Sequence, residues 1–159
     1  MFLEKFKYFV TDVDGVLTDG GFYYNDQGKV FKKFGPHDSD GFNILRSLNF
    51  KILAISADKR GFKITHKRLN DMSIDIYHVP ENVRLNWVSE RVNLSETIFV
   101  GDGYHDISLL SKCGFGISPI NSPNIVKEHA DYITENHGGN GVILECALLI
   151  KKNEYEIHN

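Results

Sequence analysis

The feature that most constrains this chain is the alternation of short apolar runs with amphipathic stretches. Tyr8-Phe9-Val10-Thr11-Asp12, Lys51-Ile52-Leu53-Ala54-Ile55-Ser56 and Thr97-Ile98-Phe99-Val100-Gly101 read as strands buried on both faces. A further strand is expected at Ile74–His78, and shorter apolar runs lie at Phe115-Gly116-Ile117 and Asp131-Tyr132-Ile133. Between them the spacing predicts a helix capped by Asp38 or Ser39 and running through Ile44, Leu45 and Leu48. Others are expected at about Arg60–Met72, around Leu85, Val88 and Val92, and at about His105–Lys112, Asn124–His129 and Gly141–Ile150. Strands alternating with helices imply an α/β fold: a Rossmann-like, doubly wound parallel sheet covered on both faces. Gly21–Tyr24 and Lys29–Phe34 flank Asn25-Asp26-Gln27-Gly28, a β-hairpin insertion over about residues 20–35.

The length, 159 residues, suits one domain spanning 1–159, closed by a C-terminal helix and tail over about 141–159. The polar end Lys151–Asn159 is expected to fray. A net charge of −3 disfavours nucleic acid as a partner. No stretch approaches the roughly 20 apolar residues of a membrane span. The start, Met1-Phe2-Leu3-Glu4-Lys5-Phe6-Lys7, lacks the apolar core of a signal peptide. Cys113 and Cys146 are too few for a disulfide framework and fit free thiols in a reducing compartment. A cytoplasmic protein is expected.

In open α/β sheets ligands sit outside the carboxyl ends of the strands. Three strand ends here carry polar residues: Asp12 with Asp14, Ser56, and Asp102 with Asp106. Each alone is an ordinary cap or turn former; their convergence marks a site. Asp12 and Asp14 leave a buried strand two residues apart, and Gly15 allows the sharp turn that follows. Paired carboxylates need a cation to stay ionised together, and an all-oxygen site suits Mg²⁺. One carboxylate can attack phosphorus; the other can protonate the leaving alkoxide and then deprotonate water.

Asp12-Val13-Asp14-Gly15-Val16-Leu17-Thr18 resembles the first motif of the haloacid dehalogenase superfamily, and Gly101-Asp102-Gly103-Tyr104-His105-Asp106 resembles its fourth. The resemblance implies Asp12 as nucleophile and metal ligand. It implies Asp14 as general acid/base with its carbonyl on the metal. Asp102 would complete the metal set, with Asp106 in support. Ser56 takes the place of the strand-terminal hydroxyl that holds a phosphoryl oxygen. The third motif departs from the pattern: Arg84 stands where the family places Lys. Arg84 is either the functional replacement for phosphate binding or a helix-surface cation. His105 reads as a surface residue, since Mg²⁺ takes oxygen.

Within the superfamily the chain is most similar to 3-deoxy-D-manno-octulosonate 8-phosphate phosphatases and to 9-phosphate phosphatases of nine-carbon sugar acids. This rests on Asp12–Gly21, Phe34, Asp40-Gly41-Phe42 and Gly138-Gly139-Asn140-Gly141-Val142. The segments between motifs leave no room for a cap domain. The resemblance therefore implies a homotetramer in which a neighbour's hairpin and C-terminal segment close the site. Phe22, Tyr24, Val30 and Phe34 are the expected hairpin contacts. Asp58 and Leu144 differ from the octulosonate pattern, and Asp58 tilts toward the nine-carbon sugars. Asp58, Arg60 and Asn140 are the candidate substrate-binding residues, and Lys59 is a further cation that can compensate. Three readings stay open: a Mg²⁺-dependent sugar-acid phosphatase of a lipopolysaccharide or sialic acid pathway, a phosphatase of another small ester, and an inactive oligomerisation module.

Overall fold

The computed structural model describes residues 5–157. The chain runs β1 (Tyr8–Asp12), β2 (Thr18–Asn25), β3 (Gly28–Phe34), α1 (Asp38–Ser47), β4 (Lys51–Ser56), α2 (Phe62–Asp71) and β5 (Ile76–His78). It continues with α3 (Arg84–Ser89), β6 (Thr97–Val100), α4 (Ile107–Lys112), β7 (Phe115–Ser118), α5 (Asn124–Lys127), β8 (Tyr132–Ile133) and α6 (Val142–Ile157). Among the described residues, six strands form one sheet in the order β5-β4-β1-β6-β7-β8, all pairs parallel. β2 and β3 make a separate antiparallel hairpin.

Strand periodicity divides the core into two layers. Phe9, Ala54, Ile98 and Val100 point to one face, where Phe42, Leu45, Leu69, Ile143 and Cys146 bring in α1, α2 and α6. Val10, Ile55 and Phe99 point to the other, against Val88, Leu109, Leu110 and Val126 of α3, α4 and α5. The first layer depends on Gly41: a Cβ there would come within 2.5–2.7 Å of the Ile143 and Leu144 backbone, so α1 and α6 meet almost backbone to backbone. α1 and α2 stop without glycine. Asn49 and Ser73 adopt positive φ instead. The following Phe50 and Ile74 amides donate back to Leu45 and Leu69 while their side chains join the core.

Several elements differ from expectation. His37, not Asp38 or Ser39, holds the N-cap position of α1. The Asp38 carboxylate turns away and accepts the Ile143 amide at 3.0 Å, capping α6. α6 runs on to Ile157, so most of the expected frayed tail is helical; Lys151–Ile157 contains no Gly or Pro to stop it. α5 ends at Lys127, two residues early. The expected helix at His105 is a 3₁₀ turn, Tyr104–Asp106, leading into α4. Residues 1–4 of the start read against a signal peptide, and 158–159 of the tail, lie outside the described residues. No described helix is long and apolar enough to cross a membrane.

Candidate active site

β1 is the switch point of the sheet: the chain passes from it to β4 and β5 on one side, then returns to β6 on the other. The register sets Asp12 opposite Ile55 and Thr11 opposite Val100. Asp12, Ser56 and Asp102 therefore leave three adjacent strands at one level. Gly15 turns the chain with φ +84°, and any Cβ there would overlap the Asp102 carboxylate. Only glycine lets the first loop pass this close to the loop after β6.

Oxygen atoms of Asp12, Asp102 and Asp106 lie within 4.8 Å of one another. Burial, then repulsion from Asp106, raises the Asp12 carboxyl well above its ordinary range, against the pull of Arg84. Asp102 is pushed up to about 7 by burial and by the charges of Asp106 and Asp14. Such a desolvated, mutually repelling oxygen cluster fits a hard divalent cation. Asp106 has partners of its own: it accepts the Asp102 and Gly103 amides at 3.1 and 3.0 Å, and it pairs with Arg84. Arg84 is buried, with Nη2 3.5 Å from Asp12 Oδ1. Its Nε has no hydrogen-bond partner.

Asp14 looks the other way. Its carboxylate takes Lys32 Nζ at 2.7 Å and the Ser56 hydroxyl at 3.1 Å. Lys32, 1% exposed, also reaches Thr65 Oγ1 at 2.8 Å and Asp58 at 2.8 Å. Asp58 accepts Lys29 at 2.6 Å and the Gly61 amide at 3.1 Å. Burial opposes the Asp58 charge, yet these bonds hold its carboxyl well below the ordinary range.

A cavity of about 260 Å³ opens over these groups, lined by Asp12, Asp14, Phe22, Lys29, Asp58, Glu81 and Arg84 among others. Two candidate substrate residues do not line it. Arg60 is drawn to the Tyr24 hydroxyl at 3.4 Å on the hairpin. Asn140 lies exposed, its amide bonded to the His137 carbonyl at 3.0 Å. The Gly138–Gly141 segment packs against the chain's own first loop: Gly139 donates to Val16 at 2.9 Å. Leu144 lines a different cleft, with Tyr132 and Leu148. His105 stays exposed and meets Glu81 at 3.1 Å.

Lys29, Lys32, Phe22 and Glu81 were not legible as site residues. Lys29 and Lys32 are three apart on a strand and should face opposite ways. A register shift lets them converge: Tyr24 pairs with Lys29 and Tyr23 with Phe31, leaving Val30 as the extra residue of a bulge.

Comparison with known proteins agrees with this geometry. A family model described as haloacid dehalogenase-like hydrolase matches residues 85–145. The 3-deoxy-D-manno-octulosonate 8-phosphate phosphatase KdsC of Haemophilus influenzae is 29% identical over 153 residues, covering 93% of this chain and 84% of that protein. The crystal structure of the Moraxella catarrhalis phosphatase of the same name, in complex with magnesium, phosphate and KDO, superposes with a TM-score of 0.86. It is 28% identical, and the match covers 99% of this chain and 93% of that one. The cobalt-bound Haemophilus influenzae phosphatase gives 0.83 at 28% identity, over 96% and 91% of the two chains. In its motifs, its sheet and these relatives, the chain is similar to the haloacid dehalogenase-like hydrolases and, among them, to the octulosonate phosphatases.

Proposed function

We propose that this chain is a Mg²⁺-dependent phosphomonoesterase acting on a 3-deoxy sugar-acid phosphate. The observation that carries the reading is the buried Asp12 carboxylate, set between the Asp102–Asp106 oxygens and Arg84 at the floor of the cavity. Asp12 and Asp102, with the carbonyl of Asp14, would hold the ion, which when bound neutralises the carboxylates and polarises the phosphoryl group. Asp12 attacks phosphorus, the ester P–O bond breaks, and Asp14 gives the leaving alkoxide its proton. Asp14 then takes a proton from water as that water attacks the aspartyl-phosphate, releasing phosphate and freeing Asp12. Arg84 supplies the positive charge expected of the third motif, with its unpartnered Nε available to a phosphoryl oxygen. The Ser56 hydroxyl bridges Asp14 and the Asp58 amide, and it releases Asp14 when it turns to the phosphoryl group.

The substrate class rests on the octulosonate phosphatase relatives. Octulosonate 8-phosphate is the first substrate to test and a nine-carbon sugar acid 9-phosphate the second. The Asp58 carboxylate is tied to two lysines, which weakens its case as the residue that reads a nine-carbon sugar. The enzyme works in the cytoplasm, where Cys113 and Cys146 stay free thiols. It assembles as a homotetramer through the hairpin. Phosphate release from a panel of sugar phosphates, with Mg²⁺ and with EDTA, tests the reading. Turnover of octulosonate 8-phosphate in Mg²⁺ alone is expected; full turnover in EDTA would refute it.

A further inference from the structure

The cavity over Asp12 is not closed on its outer side. It shares Ala57 and Glu81 with a second cleft of about 480 Å³, which adds Lys59, His78, Asn82 and His105. The second cleft lies between the loop after β4 and the loop after β5, both at the carboxyl edge of the sheet. A substrate with phosphate at one end and a carboxylate at the other needs two cationic ends. The first end is Arg84. Most cations around the nucleophile are committed: Arg84 to Asp106, Lys32 to Asp14, Lys29 to Asp58. Lys59 is different. Among the described residues neither Lys59 Nζ nor a ring nitrogen of His78 has a hydrogen-bond or ion-pair partner. The His78 ring is nevertheless held in place by a T-shaped contact with Phe62, at 5.6 Å and 83°. Between the two ends stands Glu81, with one carboxylate oxygen on His105 and the other free to accept a hydroxyl.

We propose that this second cleft binds the carboxylate of the sugar acid, with Lys59 as its cation and His78 as a second donor. Glu81 and Asn82 take the hydroxyls of the carbon chain as it passes between the clefts. The assignment rests on the sugar-acid reading above and deepens it, because an ester lacking a carboxylate has no use for Lys59. It also places the acid-reading group on the same chain as the nucleophile. Leu144, which departs from the octulosonate pattern, lies in a cleft elsewhere.

Steady-state kinetics test this on the full chain with octulosonate 8-phosphate and a carboxylate-free polyol phosphate of similar length. All the variants change exposed side chains, so folding is preserved. Lys59→Ala is expected to raise KM for the sugar acid roughly 10- to 100-fold, the loss of one charge-assisted hydrogen bond. Its kcat for the acid stays within about twofold, and the preference over the polyol phosphate collapses. Lys59→Arg retains most of that preference, and His78→Ala gives a smaller shift in the same sense. Glu81→Gln raises KM for both substrates, because it acts on hydroxyls. Unchanged KM and unchanged preference in Lys59→Ala would overturn the carboxylate site while leaving the phosphatase reading intact. Hydrolysis of small aryl phosphates with no turnover of any sugar-acid phosphate would instead overturn the substrate reading, and this site with it.

Discussion

Asp12 is surrounded by like charge in a place with little water, and its chemistry depends on how that charge is balanced. Asp12→Asn keeps the shape and removes the nucleophile. Turnover is expected to fall by several orders of magnitude, with a circular dichroism spectrum like the parent. Near-normal turnover in a folded Asp12→Asn protein would rule out covalent catalysis by this residue. Asp102 reports on the metal. Its folded carboxyl titrates at about 7 against an ordinary 3.8, so without metal the folded state holds the proton longer than the unfolded one. Its contribution to stability is therefore present at low pH and is lost as pH rises from about 4 to 7. Mg²⁺ binds the ionised form, so its effect grows in the opposite direction. At about a hundred times its Kd the ion adds about 2.7 kcal/mol, a Tm rise of roughly 5–10 °C for a domain of this size. Scanning calorimetry is expected to show that rise at pH 8 and little of it at pH 5.5. An equal rise at both would contradict the assignment of these carboxylates to the ion.

At the scale of elements, two segments far apart in sequence are fastened by single side chains. Asp38, 2% exposed, sits on α1 and caps α6 with one oxygen, leaving Oδ2 without a partner. Burial pushes its carboxyl up to about 6. The shift from 3.8 means that ionising it in the folded state costs about 3 kcal/mol, felt as pH climbs from about 4 to 6. Asp38→Asn keeps the acceptor for the Ile143 amide and removes the charge. Thermal unfolding is expected to lose that pH dependence, with the variant at least as stable as the parent at pH 7 and not at pH 4. The second fastening is Lys32, which joins β3 to Asp14, Asp58 and Thr65. Lys32→Met leaves Asp14 without its cation and Asp58 with Lys29 alone, and is expected to cost about 2–3 kcal/mol of stability. Urea unfolding measures it.

These ties mark the limit of what local pattern conveys. Apolar runs reveal β1, β4 and β6 because strand burial is written in the residues themselves. Asp12, Asp14 and Asp102 are visible because a strand end carries them. The Lys29 and Lys32 contacts were hidden because the bulge at Val30 reverses the facing their spacing implies. Asp38 looked like the cap of its own helix because nothing nearby signals that a helix a hundred residues on lacks one.

Across the whole molecule, the hairpin is the conspicuous surface. Phe22, Tyr23, Tyr24 and Phe31 are 53–67% exposed, on both faces of the ribbon. Phe34, expected among them, instead packs on the core of its own domain. Aromatic rings exposed together mark an interaction surface, and the proposed tetramer uses it. Light scattering is expected to give four times the chain mass, and Phe31→Glu to shift it toward smaller species with reduced kcat/KM. A fully active monomer would remove the hairpin from the account of the site.

The central place of β1 has a consequence for how the molecule comes into being. β1 is made before either of its neighbours, β4 on one side and β6 on the other, with Tyr8 set against both Lys51 and Thr97. Asp38 must wait still longer for Ile143. A nascent chain therefore carries its nucleophile on a strand paired on one side only until β6 has been made, and the acidic cluster exists only once Asp102 and Asp106 have followed. Long-range pairing of this kind is slow. It also means that a ribosome stalled before β6 releases a product with Asp12 and Asp14 but no means of holding them together, a chain without chemistry rather than a weakened enzyme.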